Sequence, residues 1–89
     1  MIREKLIVTG KVSEGGIRYF AQMKASSLKL TGYAKRGPEG TILIEVQGEE
    51  ENISKLKEKL KIGNGFFEIT NIESKEIDII KNEKIFSIK

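Results

Sequence analysis

The chain has 89 residues, with 16 basic and 13 acidic side chains and a net charge of +3, which suits one domain and leaves no room for a second core. It contains no cysteine and no histidine, which excludes disulfides, the usual zinc sites, cysteine nucleophiles and the histidine-dependent triads. An enzyme built from these residues must work by positioning and electrostatics, with arginine, lysine, carboxylates, hydroxyls and main-chain amides, and this favours anion chemistry.

The charge balance and the apolar runs also limit the partners. A small positive excess is compatible with an anionic ligand but is too small to indicate a nucleic-acid-binding surface. Residues 1–5 carry charge and lead into a short apolar run, so they do not resemble a signal peptide, and no segment is long enough to span a membrane. We therefore expect a single cytoplasmic domain over residues 1–89, with no membrane partner, no cofactor and no metal.

The first half of the chain predicts a strand, a helix and a hairpin. Residues 4–12 form a β-rich alternating run, and the glycine-containing loop 13–16 follows it. From Ile17 the apolar residues are spaced as on one face of a helix. Residues 30–46 predict a hairpin, because two β-rich runs flank the strong turn signal at 37–40.

The second half predicts a helix and two more strands. Apolar residues from Ile53 to Leu60 lie on one helical stripe, with acidic residues before it and lysines towards its end, as suits the helix dipole. The glycines of segment 63–65 end this helix. Residues 66–72 predict a fourth strand, and residues 85–88 predict a short closing strand.

The predicted element order is β-α-β-β-α-β with a terminal strand. Two helices on one face of an antiparallel sheet is the ferredoxin-like arrangement. The expected fold class is therefore α+β, a ferredoxin-like sandwich with a short C-terminal strand. The aromatic residues are expected in the core or on the sheet faces, without a binding role: Tyr19, Phe20, Tyr33, Phe66, Phe67 and Phe86.

The loop before the first helix has features of an anion site. Gly15 and Gly16 allow main-chain amides to converge, and the helix that follows adds the positive end of its dipole. Arg18 lies where its guanidinium can fold back over this loop and bind phosphate through two parallel hydrogen bonds. A glycine loop before a helix is also a common turn, so the local residues leave both interpretations open.

Two segments resemble the acylphosphatase family. Residues 10–20 resemble its phosphate loop, G-[RK]-V-Q-G-V-G-F-R-x-F, and residues 32–42 resemble its second motif, G-W-V-R-N-x-x-D-G-[ST]-V. Gly48 and the closing residues 86–89 also match the family. The resemblance covers the full chain, and it implies hydrolysis of the carboxyl–phosphate bond of small acyl phosphates to carboxylate and phosphate.

The resemblance also implies the site residues. In the family the loop amides and the arginine bind phosphate, and the asparagine of the second motif orients the attacking water. The gap-free register places Arg36 at that asparagine position. Arginine is a donor only and cannot accept a hydrogen bond from water, so hydrolysis by the usual arrangement would be impaired. The residues expected to bind phosphate are Ser13, Glu14, Gly15, Gly16, Ile17 and Arg18.

Glu14 is a second departure from the family pattern, because it replaces a glycine of the phosphate loop. A carboxylate that points into the loop would repel phosphate, and a side chain here also removes the backbone freedom of glycine. Arg36 either adds a second cation to the anion site or pairs with Glu14. The sequence leaves both possibilities open.

The sequence leaves three candidate functions. The first is acyl phosphate hydrolysis, the second is a non-catalytic phosphate- or anion-binding module on the same fold, and the third is an RNA-binding or interaction domain. The ligand expected in the first two is a small phosphorylated metabolite or inorganic phosphate. Nucleic acid is the least favoured partner, because the segment 32–34 resembles an aromatic RNA-binding motif but lies on the second strand instead of the third.

Overall fold

Five strands form one sheet, and two helices cover one of its faces. The computed structural model describes residues 1–89. The elements in chain order are β1 (Ile2–Lys11), α1 (Ile17–Ser27), β2 (Thr31–Arg36), a 3-10 turn (Pro38–Gly40), β3 (Ile42–Gly48), α2 (Glu50–Ile62), β4 (Glu68–Ile77) and β5 (Phe86–Ile88). This order confirms the predicted ferredoxin-like arrangement.

The strand order in the sheet is β4-β1-β3-β2-β5. The first four strands pair antiparallel, and β5 pairs parallel with β2, so the sheet is mixed. Ile42 at the start of β3 pairs with Val8 of β1 on one side and with Arg36 of β2 on the other. The C-terminal ends of β1 and β2 therefore meet at the same end of the sheet, which brings the two sequence motifs together.

The core lies between the helices and the inner face of the sheet. Each helix buries a stripe spaced by three or four residues, as a 3.6-residue period requires. Neither helix has the length and the apolar character that crossing a membrane requires. The buried residues of the two stripes are Ile17, Ala21, Ala25, Ile53, Leu56 and Leu60. They pack in one cluster with Leu6, Val8, Ile44 and Val46 from β1 and β3.

The fourth strand differs from its predicted bounds of 66–72. It begins two residues later and ends at Ile77. Phe66 stays in the preceding loop, 79% exposed, because its N–H bonds to the side chain of Asn64 instead of a strand partner. The residues after Ile72 were missed because β4 is an edge strand that pairs only with β1, so its outer positions are polar and show no apolar alternation.

A buried arginine organises the opposite, outer face of the sheet. The Arg3 side chain is fully buried, and its Nε lies 3.0 Å from a Glu45 carboxylate oxygen while Nη1 lies 2.7 Å from Glu83. Burial by itself would lower the pKa of Arg3, but the hydrogen bonds and charges of Glu83 and Glu45 outweigh it and raise that pKa. Arg3 therefore stays charged and ties the segment before β5 to the sheet.

Residues 78–85 cross the outer face and connect the two edges of the sheet. The Gln47 amide accepts a hydrogen bond from the Ile80 N–H at 2.8 Å and donates one to the Ile80 carbonyl at 3.0 Å. Together with Glu83, these bonds fix the crossing segment on β1 and β3. The crossing segment in turn delivers β5 to the edge of β2.

Tyr33, on the outer face of the sheet, should make the free energy of unfolding fall as the pH rises in the alkaline range. The Tyr33 hydroxyl donates to the Glu45 carboxylate, and burial, the hydrogen bond and the Glu45 charge raise the pKa of Tyr33 from 10.0 to about 12. The folded state therefore favours the protonated phenol. The resulting stabilisation is complete below pH 10 and is lost as the pH rises towards 12.

We expect Tyr33→Phe to flatten this alkaline loss. The free energy of unfolding, measured with urea at several pH values from neutral to 12, should fall more steeply for the wild-type protein than for Tyr33→Phe above pH 10. Lysine deprotonation affects both proteins equally, so the difference isolates the phenol. Parallel curves for the two proteins would contradict the assignment.

Candidate functional site

A cavity of about 250 Å³ lies where the loop after β1 meets the end of β2. Arg18 from the first motif and Arg36 from the second both line it, so the fold places the two motifs at one site. Gly15, which was expected to bind phosphate, is not one of the residues that line the cavity. The other lining residues are Val12, Ser13, Glu14, Gly16, Ile17, Tyr19 and Ile42.

The main chain of the loop offers unpaired donors at this cavity. None of the N–H groups from Ser13 to Tyr19 donates a hydrogen bond within the protein, and Phe20 is the first residue whose N–H does so, to the Gly16 carbonyl at 2.9 Å. Gly16 precedes α1 in a left-handed conformation with φ of 71°, and no side chain caps the helix. The first turn also lacks an acidic residue. These amides can therefore bind an anion.

Arg18 lies in the first turn of α1, and the structure leaves most of its donors free. One of its terminal nitrogens, Nη1, donates to the main-chain oxygen of Lys89 at 3.2 Å. No aspartate or glutamate side chain lies within ion-pair distance of its guanidinium. Because a guanidinium carries five N–H donors, the remaining ones can form a two-bonded contact with a phosphate.

Lys89 positions this arginine from the closing strand. Its own N–H bonds to the Ala34 carbonyl at 2.9 Å, and its ammonium lies 4.1 Å from the centre of the Tyr33 ring. The contact between Lys89 and Arg18 was not predicted from the sequence. It forms only because residues 78–85 cross the sheet and allow β5 to pair in parallel with β2. Its sequence signals were the resemblance of residues 86–89 to the family and a charged residue directly after the predicted closing strand.

Arg36 is the last residue of β2 and is exposed. Strand alternation places it on the same face as the buried Ala34, which is the face towards the helices and the cavity. It forms no ion pair and no side-chain hydrogen bond, and in particular it does not pair with Glu14. The cavity thus holds two guanidinium groups, neither paired with an aspartate or glutamate, and one carboxylate.

Glu14 is the one carboxylate of the lining, and its side chain is exposed. No group of three or more acidic side chains anywhere in the protein is placed to hold a metal ion. Arginine side chains and main-chain N–H groups offer hydrogen bonds and positive charge at this cavity. Such groups suit a phosphate.

Tyr19 was expected in the core or on a sheet face, and this was wrong. It follows the buried Ile17 by two residues, which is about 200° around a helix, and so faces away from the sheet. Its side chain is 66% exposed and lies at the edge of the cavity. Phe20, by contrast, packs against the core and meets the Phe67 ring edge-on at 5.3 Å.

The chain is similar over its whole length to proteins of one family. A family model described as Acylphosphatase matches residues 4–88. An acylphosphatase from Clostridium perfringens is 45% identical over 87 residues, which are 98% of this chain and 98% of that protein. One from Clostridium beijerinckii is 43% identical over 89 residues, which are 100% of this chain and 99% of that protein. A crystal structure of acylphosphatase from Bacillus subtilis matches with a TM-score of 0.92 and 34% identity, covering 100% of this chain and 99% of that one.

Proposed function

Because the chain belongs to the acylphosphatase family, we propose that it hydrolyses the carboxyl–phosphate bond of small acyl phosphates at the cavity formed by residues 13–18 and Arg36. One observation carries this proposal. Arg18, with free donors, lines the same cavity as a loop whose N–H groups have no partner in the protein. Both kinds of donor are suited to the oxygens of a phosphoryl group.

Hydrolysis of an acyl phosphate does not require a histidine, which this chain lacks. Water adds to phosphorus while the bond from phosphorus to the carboxyl oxygen breaks, which gives a carboxylate and inorganic phosphate. The leaving group is a carboxylate with a low pKa, so it does not require protonation by a general acid such as histidine. The protein must hold the phosphoryl group and stabilise the charge on its oxygens.

Different residues of the cavity bind the phosphoryl group and the acyl part of the substrate. The N–H groups of the loop and the first turn of α1 bind phosphoryl oxygens, and Arg18 binds two of them through its fork of donors. Burial of the acyl part against the apolar residues Val12 and Ile42, which share the lining, would retain a small substrate. The leaving carboxylate then departs through the open side of the cavity.

Arg36 limits the rate in this proposal. An attacking water is best held by a group that accepts its hydrogen, and a guanidinium only donates. Arg36 therefore strengthens binding of the phosphate but does not orient the water. The site is expected to bind phosphate well and to turn over slowly.

A non-catalytic phosphate-binding module is the second candidate, and the free Arg36 guanidinium favours it. RNA binding has less support, since Tyr33 is engaged by Glu45 and Lys89 on the face that would have to stack bases. Neither of the two helices is long and apolar enough to cross a membrane, so no helix supports a membrane partner.

Benzoyl phosphate hydrolysis by the purified protein tests the proposal. We expect turnover above the spontaneous rate, with inorganic phosphate as a competitive inhibitor. Phosphate binding without turnover would overturn the hydrolase and leave the binding module. A protein that neither hydrolyses benzoyl phosphate nor binds phosphate would overturn both candidates.

A further inference from the structure

The side chain of Asn64 is hydrogen-bonded to the main chain of the loop at residues 13–16. Asn64, in the loop between α2 and β4, donates from Nδ2 to the Gly15 carbonyl at 3.1 Å and accepts the Phe66 N–H at 2.9 Å. The carbonyl of Phe66 lies so close to Gly15 that a side chain at position 15 would collide with it. The two loops are therefore packed together and hydrogen-bonded.

The bond to the Gly15 carbonyl fixes the direction of the next N–H. The peptide between Gly15 and Gly16 is planar and trans, so its C=O and N–H point in opposite directions. While Asn64 holds the carbonyl on one side, the Gly16 N–H must point to the other side. Gly16 lines the cavity, whereas Gly15 does not.

This peptide needs such a restraint because glycine lies on both sides of it. Gly15 and Gly16 have φ values of 92° and 71°, a region that glycine enters freely and from which it also leaves freely. A rotation of this peptide would meet little steric resistance from the two residues themselves. It would replace an N–H donor at the cavity with a carbonyl oxygen, which repels an anion.

We propose that Asn64 is a positioning residue of the phosphate site, and that it holds the Gly15–Gly16 peptide in the orientation that directs the Gly16 N–H to the anion. The inference rests on the proposed function, because it takes the cavity to be a phosphate site. Asn64 does not touch the phosphate. It acts through the main chain of the loop.

A phosphate titration followed by amide NMR tests this role. For Asn64→Ala we expect the dissociation constant of inorganic phosphate to rise about 3- to 10-fold, as the loss of one hydrogen bond at an exposed loop implies. The Gly16 amide should also lose most of its phosphate-induced shift. A change in overall stability would not produce this local signature. Asn71→Ala is the matched control, since Asn71 is exposed and its side chain makes no hydrogen bond.

Asn64→Asp separates the two bonds of the asparagine. An ionised aspartate can still accept the Phe66 N–H, which preserves the turn, but it cannot donate to the Gly15 carbonyl. We expect weakened phosphate binding here as well. If either Asn64 variant binds phosphate with wild-type affinity and shows the wild-type Gly16 shift, the role of Asn64 is overturned and the proposed function is unaffected. Failure of the wild-type protein to bind phosphate would overturn the proposed function and the inference with it.

Discussion

Arg18→Ala is expected to lower kcat/KM for benzoyl phosphate by about 10³-fold. The structure places Arg18 in the first turn of α1 with free donors, and no aspartate or glutamate is ion-paired with it. Its loss removes a preorganised cation from the phosphoryl oxygens, where charge is concentrated in the transition state. Inorganic phosphate should also bind more weakly to this variant.

Two variants sharpen the test of Arg18. Lysine keeps the charge but cannot form two parallel hydrogen bonds, so Arg18→Lys should recover only a small part of the activity. Lys24→Ala removes a cation from the same helix away from the cavity and should leave kcat/KM near wild type. If Arg18→Ala retained wild-type turnover, the cavity would not be the site of hydrolysis.

Arg36→Asn is expected to raise kcat by about 10-fold or more, because asparagine supplies an acceptor that can hold the attacking water. The same change removes one of the two guanidinium groups of the cavity. Inorganic phosphate should therefore inhibit the variant less strongly than the wild-type protein. A rise in kcat together with weaker product binding distinguishes water positioning from a general gain in affinity.

Arg36→Ala is the matched control, since it removes the cation without adding an acceptor. It should weaken phosphate binding as much as Arg36→Asn does, and its kcat should stay low. Lys35→Ala, on the opposite face of β2, should change neither quantity. Equal kcat values for Arg36→Asn and Arg36→Ala would mean that this position does not hold the water.

Glu14 is tested in the Arg36→Asn background. Glu14→Gly restores the family pattern, and Glu14→Gln removes only the charge and leaves the backbone restricted. If the carboxylate repels phosphate, both changes should strengthen phosphate binding and raise the rate further. If Glu14→Gly slows hydrolysis and Glu14→Gln does not, Glu14 supplies an acceptor to the water instead, because the glutamine amide oxygen can still accept that hydrogen bond.

The fold could be predicted because its signals are local. Apolar periodicity identified both helices, and the turn at 37–40 identified the hairpin. Arg36 follows Ala34 by two residues on β2, and in the structure both lie on the face of the sheet towards the helices. The two motifs meet in the structure because β1 and β2 both pair antiparallel with β3.

The contacts that support the site could not be predicted, since they join parts of the chain that no local pattern connects. Asn64 was interpreted only as part of a helix-ending segment, yet its side chain holds a loop 49 residues away. The contact of Lys89 with Arg18 spans 71 residues. Both depend on three-dimensional packing. The same holds for Phe66, whose exposed loop position results from its bond to Asn64.

The anion site of the loop is tested most directly by titrating the wild-type protein with inorganic phosphate and following every main-chain amide by NMR. We expect the largest shifts to fall on residues 14–19, whose N–H groups have no partner in the protein, and on the side chain of Arg18. Unmoved amides in this segment, with shifts confined to the lysine-rich surface of α2, would contradict an anion site at this loop.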